Sequence, residues 1–362
     1  MGRSAILALA TAAALMATPA FADTWDDVVK SANAEGEVDV HGGPGALYQQ
    51  LLTAQFRAAY PGIKLNFSGQ GGRDAIPQIM RERQAGVYRW DVYVGGATSM
   101  LEALMPAGAL APLRPALVRP DTIADDKWRE GFDGGWMDKA KTYIYAFDLT
   151  IDPVVLVNWD FVDPARLKTF ADALKPEFAD KIVWDDPRLP GEGPAVGQNI
   201  VANFGTDFLV KLYTEQKIVY TTNRRQDAEW VVRGRYPIGF GTGLDDISIF
   251  QRQGLGQNIK PFTGDEKTIL GGSGFGSFAL MDKAPHPNAA KVYIDWLLSK
   301  DGQMEWIKSR RNSRRLDVPP GLPDFMPQPG VHYEDVENEA ELPTRELVMS
   351  LARKNIPTAP QQ

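Results

Sequence analysis

The sequence predicts an α/β fold built as two lobes, and three observations carry that reading. Strand, glycine-rich turn and helix recur three times between residues 37 and 98. A second series of the same kind fills residues 181–243. Extended stretches at 143–157 and 272–281 flank that second series, as a chain crossing between two units and back requires.

Residues 25–34 have a helical pattern. Residues 37–41 alternate as a short strand, which ends in Gly42-Gly43-Pro44-Gly45. Leu47, Leu51, Leu52, Phe56 and Ala59 then fall near one helical face, and Pro61-Gly62 stops it. Residues 63–67 form a second strand, ending in Ser68-Gly69-Gln70-Gly71-Gly72-Arg73, with a helix to about Gln84. A third strand, 90–94, ends in Gly95-Gly96-Ala97-Thr98. In the second series, strand 181–184 runs into Asp185-Asp186-Pro187-Arg188 and a helix through about Leu212. Strand 218–220 runs into Thr221-Thr222-Asn223-Arg224 and helix 226–233; strand 238–240 ends in Gly241-Thr242-Gly243. Helix 287–299 follows, then a proline-rich run from Pro319 to Pro329 and a last helix at 339–354. The expected organisation is a leader at 1–22, lobe 1 from 23–146 with 271–318, lobe 2 from 147–270, and a C-terminal segment at 319–362.

The chain of 362 residues is 44% hydrophobic and 23% charged, the composition of a folded protein rather than a disordered one. Its formal charge is −7, and loss of Arg3 with the leader leaves −8. An acidic surface gives no general attraction for nucleic acid or anionic lipid. Cysteine is absent, which excludes disulfides, thiolate nucleophiles, cysteine-held metals and lipid attachment through cysteine. The N-terminus has the three parts of an export signal in order: Arg3, an apolar run from Ala5 to Leu15, and Ala20-Phe21-Ala22 as the cleavage site. The periplasm is the expected location, with cleavage after Ala22.

In open α/β sheets ligands bind beyond the carboxyl ends of the strands, where helices begin and offer free N–H groups. The strand-end turns are therefore the expected ligand site. Arg73, Arg188 and Arg224 supply guanidinium forks for a carboxylate, phosphonate or phosphate. Ser68, Gln70, Thr98, Thr222 and Thr242 add neutral hydrogen bonds, and Gly42, Gly71, Gly95 and Gly241 let backbone approach the solute. His41 ends the first strand and is included. Phe147 and Trp184 are candidates for an aromatic wall, with core packing as their default. Asp185, beside Asp186, either holds a cationic group or caps the following turn. Residues 310–315, with four arginines, are taken as a solvated face, with cleft lining or a partner contact as alternatives.

Four stretches resemble a known family: Ala284 to Gln303, Tyr145 to Asn158, Trp184 to Gly193 and Trp230 to Gly239. They are similar to the extracellular solute-binding proteins of ABC importers, in the branch of ferric-ion, thiamine and phosphonate binders. The resemblance covers essentially the whole chain after the leader. It implies the type II periplasmic binding fold, with a small-molecule ligand held between lobes and delivered to an inner-membrane permease. Ferric binders of this branch place adjacent tyrosines after the strand matching residues 237–240. Here Gly241-Thr242-Gly243-Leu244-Asp245-Asp246 stands instead, which favours a small organic anion over a ferric ion or ferric chelate. The expected protein is a monomer with no cofactor, no bound metal and no nucleic-acid partner. A sensor kinase is a further possible reader of the loaded form.

A secreted α/β hydrolase is the alternative from another class. Walker A, complete G-x-G-x-x-G, H-E-x-x-H and G-x-S-x-G patterns are all missing, and the three histidines, His41, His286 and His332, are far apart. No enzymatic activity is expected.

Overall fold

The computed structural model describes residues 24–44, 46–153, 155–262, 270–271, 276–329, 333 and 335–357. The expected leader, Gly45, residues 272–275, His332 and the last five residues of the C-terminal segment lie outside the described residues.

The chain opens with α1 (Trp25–Glu35), β1 (Glu37–Gly42), α2 (Ala46–Leu51), α3 (Ala54–Ala59), β2 (Lys64–Gly69), α4 (Gly72–Gln84), β3 (Val92–Gly95) and the short α5 (Ala97–Ser99). Thr24 and Asp27 cap α1 reciprocally, each side chain accepting from the other's backbone N–H. The helix expected over 47–59 is two pieces, because the chain turns at Leu52-Thr53. A long stretch of turns leads to β4 (Tyr145–Ala146), β5 (Ile151–Asp152) and β6 (Val155–Asn158). Lobe 2 continues with β7 (Ile182–Asp185), α6 (Glu192–Glu215), β8 (Val219–Thr221), α7 (Arg224–Val232), β9 (Ile238–Phe240), α8 (Leu244–Gln251) and β10 (Ile259–Phe262). After β11 (Leu270–Gly271) come β12 (Ser277–Leu280), α9 (Pro287–Leu298), α10 (Lys300–Trp306) and α11 (Leu342–Asn355).

Two five-stranded sheets result, ordered β2-β1-β3-β12-β4 and β10-β6-β9-β7-β8. In each, three strands run parallel, β1 to β3 in the first and β7 to β9 in the second. Antiparallel β12 joins the first sheet and β6 the second. The extended stretch expected over 143–157 is thus three strands in three sheets. β4 ends the first sheet, β6 enters the second, and β5 pairs with β11 where the chain crosses and returns.

Each sheet is covered on both faces, as parallel sheets are. In lobe 1, Val38, Val40 and Leu65 pack with Tyr293, Trp296 and Leu297 of α9, while Tyr93 on the other face meets Ile79 and Leu101. In lobe 2, Val155, Trp184 and Phe240 pack with Val196 and Ile200, while Leu156 and Val183 face Ala228 and Val231. The period of two along β6 places Val155 and Val157 on one face and Leu156 on the other. Val348 and Ala352 of α11 belong to the lobe 2 core, so the C-terminal segment passes from lobe 1 and ends on lobe 2.

Residues 311–315 correct the expectation of a solvated face: all are buried. The Arg315 guanidinium donates to Leu298 O, pairs with Asp317 and lies over Trp128. Pairing and stacking offset the cost of burying Arg315.

Candidate functional site

The parallel strands of the two sheets point their carboxyl ends at a shared seam. Arg73, in the first turn of α4, reaches from lobe 1 into lobe 2. Its Nε and Nη2 donate to Pro190 O at 2.9 and 2.7 Å, and its Nη1 donates to Thr222 O at 3.5 Å. Nη2 also lies 3.5 Å from Asp185 Oδ2. Gly191 keeps this path open: it has φ 148°, and a Cβ there would stand 2.4 Å from Arg73 Nη2. A second bridge joins α2 to α8, where the Tyr48 hydroxyl donates to Asp245 Oδ2 at 2.9 Å. Arg311 Nη2 lies 3.2 Å from that same oxygen. A third bridge runs from the Thr98 hydroxyl to Glu337 Oε2, at 2.5 Å.

The lobe 2 side is a wall of carboxylates assembled by its βα junctions. Asp185 ends β7 and accepts from Gly193 N at 3.0 Å; burial raises its pKa against the pull of Arg73. Glu192 is the first residue of α6, half-buried, and its carboxylate makes no hydrogen bond or ion pair with any described residue. Burial, then the neighbouring Glu337, raises it as well. Arg224 opens α7 and donates through Nε and Nη2 to Asp246 Oδ2 at 3.0 and 2.7 Å. The Arg224 side chain remains 44% accessible, as a group in the wall of a cleft does. Asp227, one turn on, accepts from the Thr242 hydroxyl at 2.9 Å, and its burial pushes it up to about 7. Gly241, at φ 75°, brings β9 against this wall: a Cβ there would lie 3.4 and 3.5 Å from the Cβ atoms of Glu192 and Asp185. The left-handed backbone suits glycine and leaves the cleft floor bare.

Of the residues singled out by sequence, the seam gathers Arg73, Asp185, Arg224, Thr222, Gly241 and Thr242, with Thr98 at its edge. Arg73 meets Thr222 through the carbonyl, and the Thr242 hydroxyl is spent on Asp227. Gly42, Ser68, Gln70, Gly71 and Gly95 lie at the carboxyl ends of β1, β2 and β3; Gln70 N donates to Gly42 O at 3.0 Å. Four residues are placed elsewhere. His41 is buried in lobe 1, stacked on Tyr93 at 5.2 Å, and burial lowers its pKa to about 4, so its ring is neutral. Phe147 is fully buried against Trp306 at 4.9 Å. Both sit near a strand end with the side chain on the inner face. Arg188 turns its fork to Asp186, with Nη2 at 2.7 Å, and donates to Pro357 O, tying β7 to the C-terminal segment. Trp184 is likewise core.

Tyr48, Glu192, Asp227, Asp245 and Asp246 are the seam residues that were not named as candidates, and Arg311 takes the cleft-lining place that was the alternative to a solvated face for 310–315. The strand-end rule applied to carboxylates as well as arginines reaches four of them, since each acid opens a helix after a strand of the lobe 2 sheet. Tyr48 has no such signal.

A cavity of about 590 Å³ lies apart from the seam, on lobe 1 between α3, α9 and α10. Its buried carboxylate, Asp295, is already held by Thr122 and Arg119. Among the described residues Asp39, Asp91 and His286 bring three potential metal ligands within 4.8 Å of one another. They stand at the amino ends of β1 and β3, opposite the seam. The Asp91 oxygens there accept from Asp39 N and His286 N at 2.7 Å each, a knot that fixes α9 to the sheet.

Residues 52–315 match the family of bacterial extracellular solute-binding proteins. No curated protein matches the chain. Among solved structures, iron-bound HitA from Pseudomonas aeruginosa is similar at TM-score 0.65 and 17% identity, over 88% of this chain and 98% of that one. The periplasmic binding protein AfuA from Actinobacillus pleuropneumoniae, with fructose-6-phosphate bound, gives 0.63 and 18% over 90% and 99%. An ABC-transporter substrate binding protein from Agrobacterium tumefaciens gives 0.69 and 14% over 89% and 94%. These likenesses show the two-lobed type II periplasmic binding fold.

Proposed function

The chain belongs to the bacterial extracellular solute-binding proteins, and we propose that it works in the periplasm as the capture component of an ABC importer. It takes a small organic solute bearing an anionic group between its lobes and presents the closed form to the permease. The observation that carries this is Arg73, which crosses the seam and joins three lobe 2 groups at once. A fork so placed can exchange those partners for a carboxylate or phosphate while still holding both lobes. Charged hydrogen bonds of this kind contribute roughly 1.5–3 kcal/mol each, enough, with backbone donors, for about micromolar binding. The β5–β11 crossing supplies the hinge.

Iron-bound relatives support a second reading, a ferric ion or chelate. Against it stand residues 241–246, which carry no tyrosine, and Tyr220, whose hydroxyl is buried within lobe 2. No group that would make this protein an enzyme has a role in the proposal.

A thermal-shift screen of the mature protein against carboxylates, phosphonates, sugar phosphates, thiamine and Fe³⁺ tests the solute class. The expected result is stabilisation by organic anions; stabilisation by cations alone would overturn it. Small-angle scattering tests closure. At high salt, where the pairs that bridge the empty seam are screened, the radius of gyration should fall on saturation, and unchanged dimensions there would count against a closing cleft.

A further inference from the structure

The two faces of the seam differ in charge, and the difference specifies the solute further. Lobe 1 brings Arg73, Tyr48 and Arg311. Lobe 2 brings Asp185, Glu192, Asp227, Asp245 and Asp246, and its Arg224 is already engaged by Asp246. Arg73 pairs with Asp185 and Arg311 with Asp245. These pairs leave Glu192 over, half-buried in the wall with no described partner. Its place at the start of α6 gives it the mild favour of a helix N-terminus but no hydrogen bond. Taking a carboxylate out of water without a partner is costly, and the raised pKa of Glu192 has that cause. An anionic solute that displaced Asp185 from Arg73 would leave a second carboxylate unpaired beside the first.

We propose that the solute is zwitterionic, with its anionic group on the lobe 1 arginines and a protonated amine on Glu192 and Asp185 of lobe 2. This deepens the reading of the seam as the solute site and rests on it. An ammonium supplies three N–H donors and a full charge to two carboxylates, Asp185 then held only by Gly193 N and Glu192 without a described side-chain partner. A compact metal ion fits this wall less well, because it needs several ligand atoms converging on one point. Among the described residues, that convergence occurs at Asp39, Asp91 and His286, at the other end of the sheet. The seam carboxylates are instead spread over β7, α6, α7 and α8, as an organic skeleton with separated charges requires.

The test uses matched pairs that differ by an amine: ethyl phosphate with phosphoethanolamine, and propionate with β-alanine. Affinities are measured by calorimetry on the mature protein. In at least one pair the amine-bearing member should bind at least tenfold tighter. Glu192→Gln should cut that preference below twofold, the amine-bearing member losing affinity and the amine-free member binding no more weakly than to the wild type, since a neighbouring negative charge is removed. Glu192→Asp, which keeps the charge, should retain part of the preference and guards against a folding defect in the first variant. Arg73→Ala should weaken both members of the pair. Equal binding within both pairs, no binding by any of the four, or a preference that survives Glu192→Gln overturns the zwitterion. Binding that ignores Arg73→Ala overturns the seam as the site, which is a different failure.

Discussion

Lobe 1 and lobe 2 share one architecture and bring opposite charge to their common seam. Each is a five-stranded sheet with three parallel strands whose carboxyl ends face the cleft. On lobe 1 those ends and their neighbours present Arg73, Arg311 and hydroxyls; on lobe 2 the same positions carry five carboxylates. The empty cleft can therefore close on its own charges, through the Arg73–Asp185 and Arg311–Asp245 pairs. A solute bound where we propose competes with partners already in place, and its selectivity lies in what it offers both faces at once. The amino end of the lobe 1 sheet makes the contrast plain. There Asp91 and His286 pair within one lobe, at 2.9 Å, and hold the fold rather than the cleft.

The strongest way to break this comparison is to cut the link between lobes made by α11. Arg345 is buried; it pairs with Glu102 of lobe 1 at 2.7 Å and donates to Gly191 O of lobe 2 at 2.9 Å. Arg345→Ala should lower unfolding stability by about 3–5 kcal/mol, read as a lower urea midpoint, because it strands a buried charge network. An unchanged midpoint would show that α11 is only appended.

Next comes the acidity of the lobe 2 wall. Asp227 binds its proton up to about pH 7 in the folded state, against a carboxylate value of 3.8 when unexposed to burial. The folded state then holds more protons than the unfolded one between about pH 4 and 7, so this residue's contribution is present at low pH and lost as pH rises through 7. Asp227→Asn keeps an acceptor for Thr242 and should raise stability at pH 8 by roughly 2–4 kcal/mol, with little change at pH 4. Thermal melts across that range should show the two curves diverging as pH rises; parallel curves would remove Asp227 from the account.

A smaller effect is expected from the basic side. Arg73→Ala should weaken solute binding by about 10- to 100-fold, equivalent to roughly 1.5–3 kcal/mol, and enlarge the solute-free protein in scattering. The smallest is the effect of salt. Its pairs are partly exposed, so the solute-free radius of gyration should grow as the screening length falls from about 10 Å at 0.1 M to about 3 Å at 1 M. If both dimensions and affinity ignore salt, the opposition of charges does not govern closure.

Much of this was legible in the chain. The strands at 37–41, 63–67, 181–184 and 238–240 carry alternation or short apolar runs, and glycine, proline or Asp-Pro marks where they end. Such signals are local, so they survive without knowledge of the fold. The three arginines were each placed at a strand end, but their partners differ for reasons that lie outside those segments. Arg188 finds Asp186 two residues away, whereas Arg73 meets Asp185 at a sequence separation of 112. His41 and Phe147 also stand near strand ends, and the direction of their side chains, inward, depends on the pairing of β1 with β3 and of β4 with β12. Residues 310–315 looked like a solvated run because four positive charges in six positions ordinarily are; Arg310 is indeed exposed, while Arg311 is buried against Asp245, Arg314 on Arg129 O and Arg315 on Asp317, Leu298 O and Trp128.

The sequence by itself determined two α/β series and the crossings between them, because strand and helix periods and their glycine stops are properties of short segments. Only the tertiary structure decided which charges face one another. Ion pairing across the seam depends on the β5–β11 crossing, on α11 anchoring the C-terminal segment to lobe 2, and on distances of a few ångströms between residues far apart in the chain. That is why arginines alone suggested an anion, while the assembled seam, with Glu192 unpaired among the described residues, is the ground for our proposal of a solute that carries both signs.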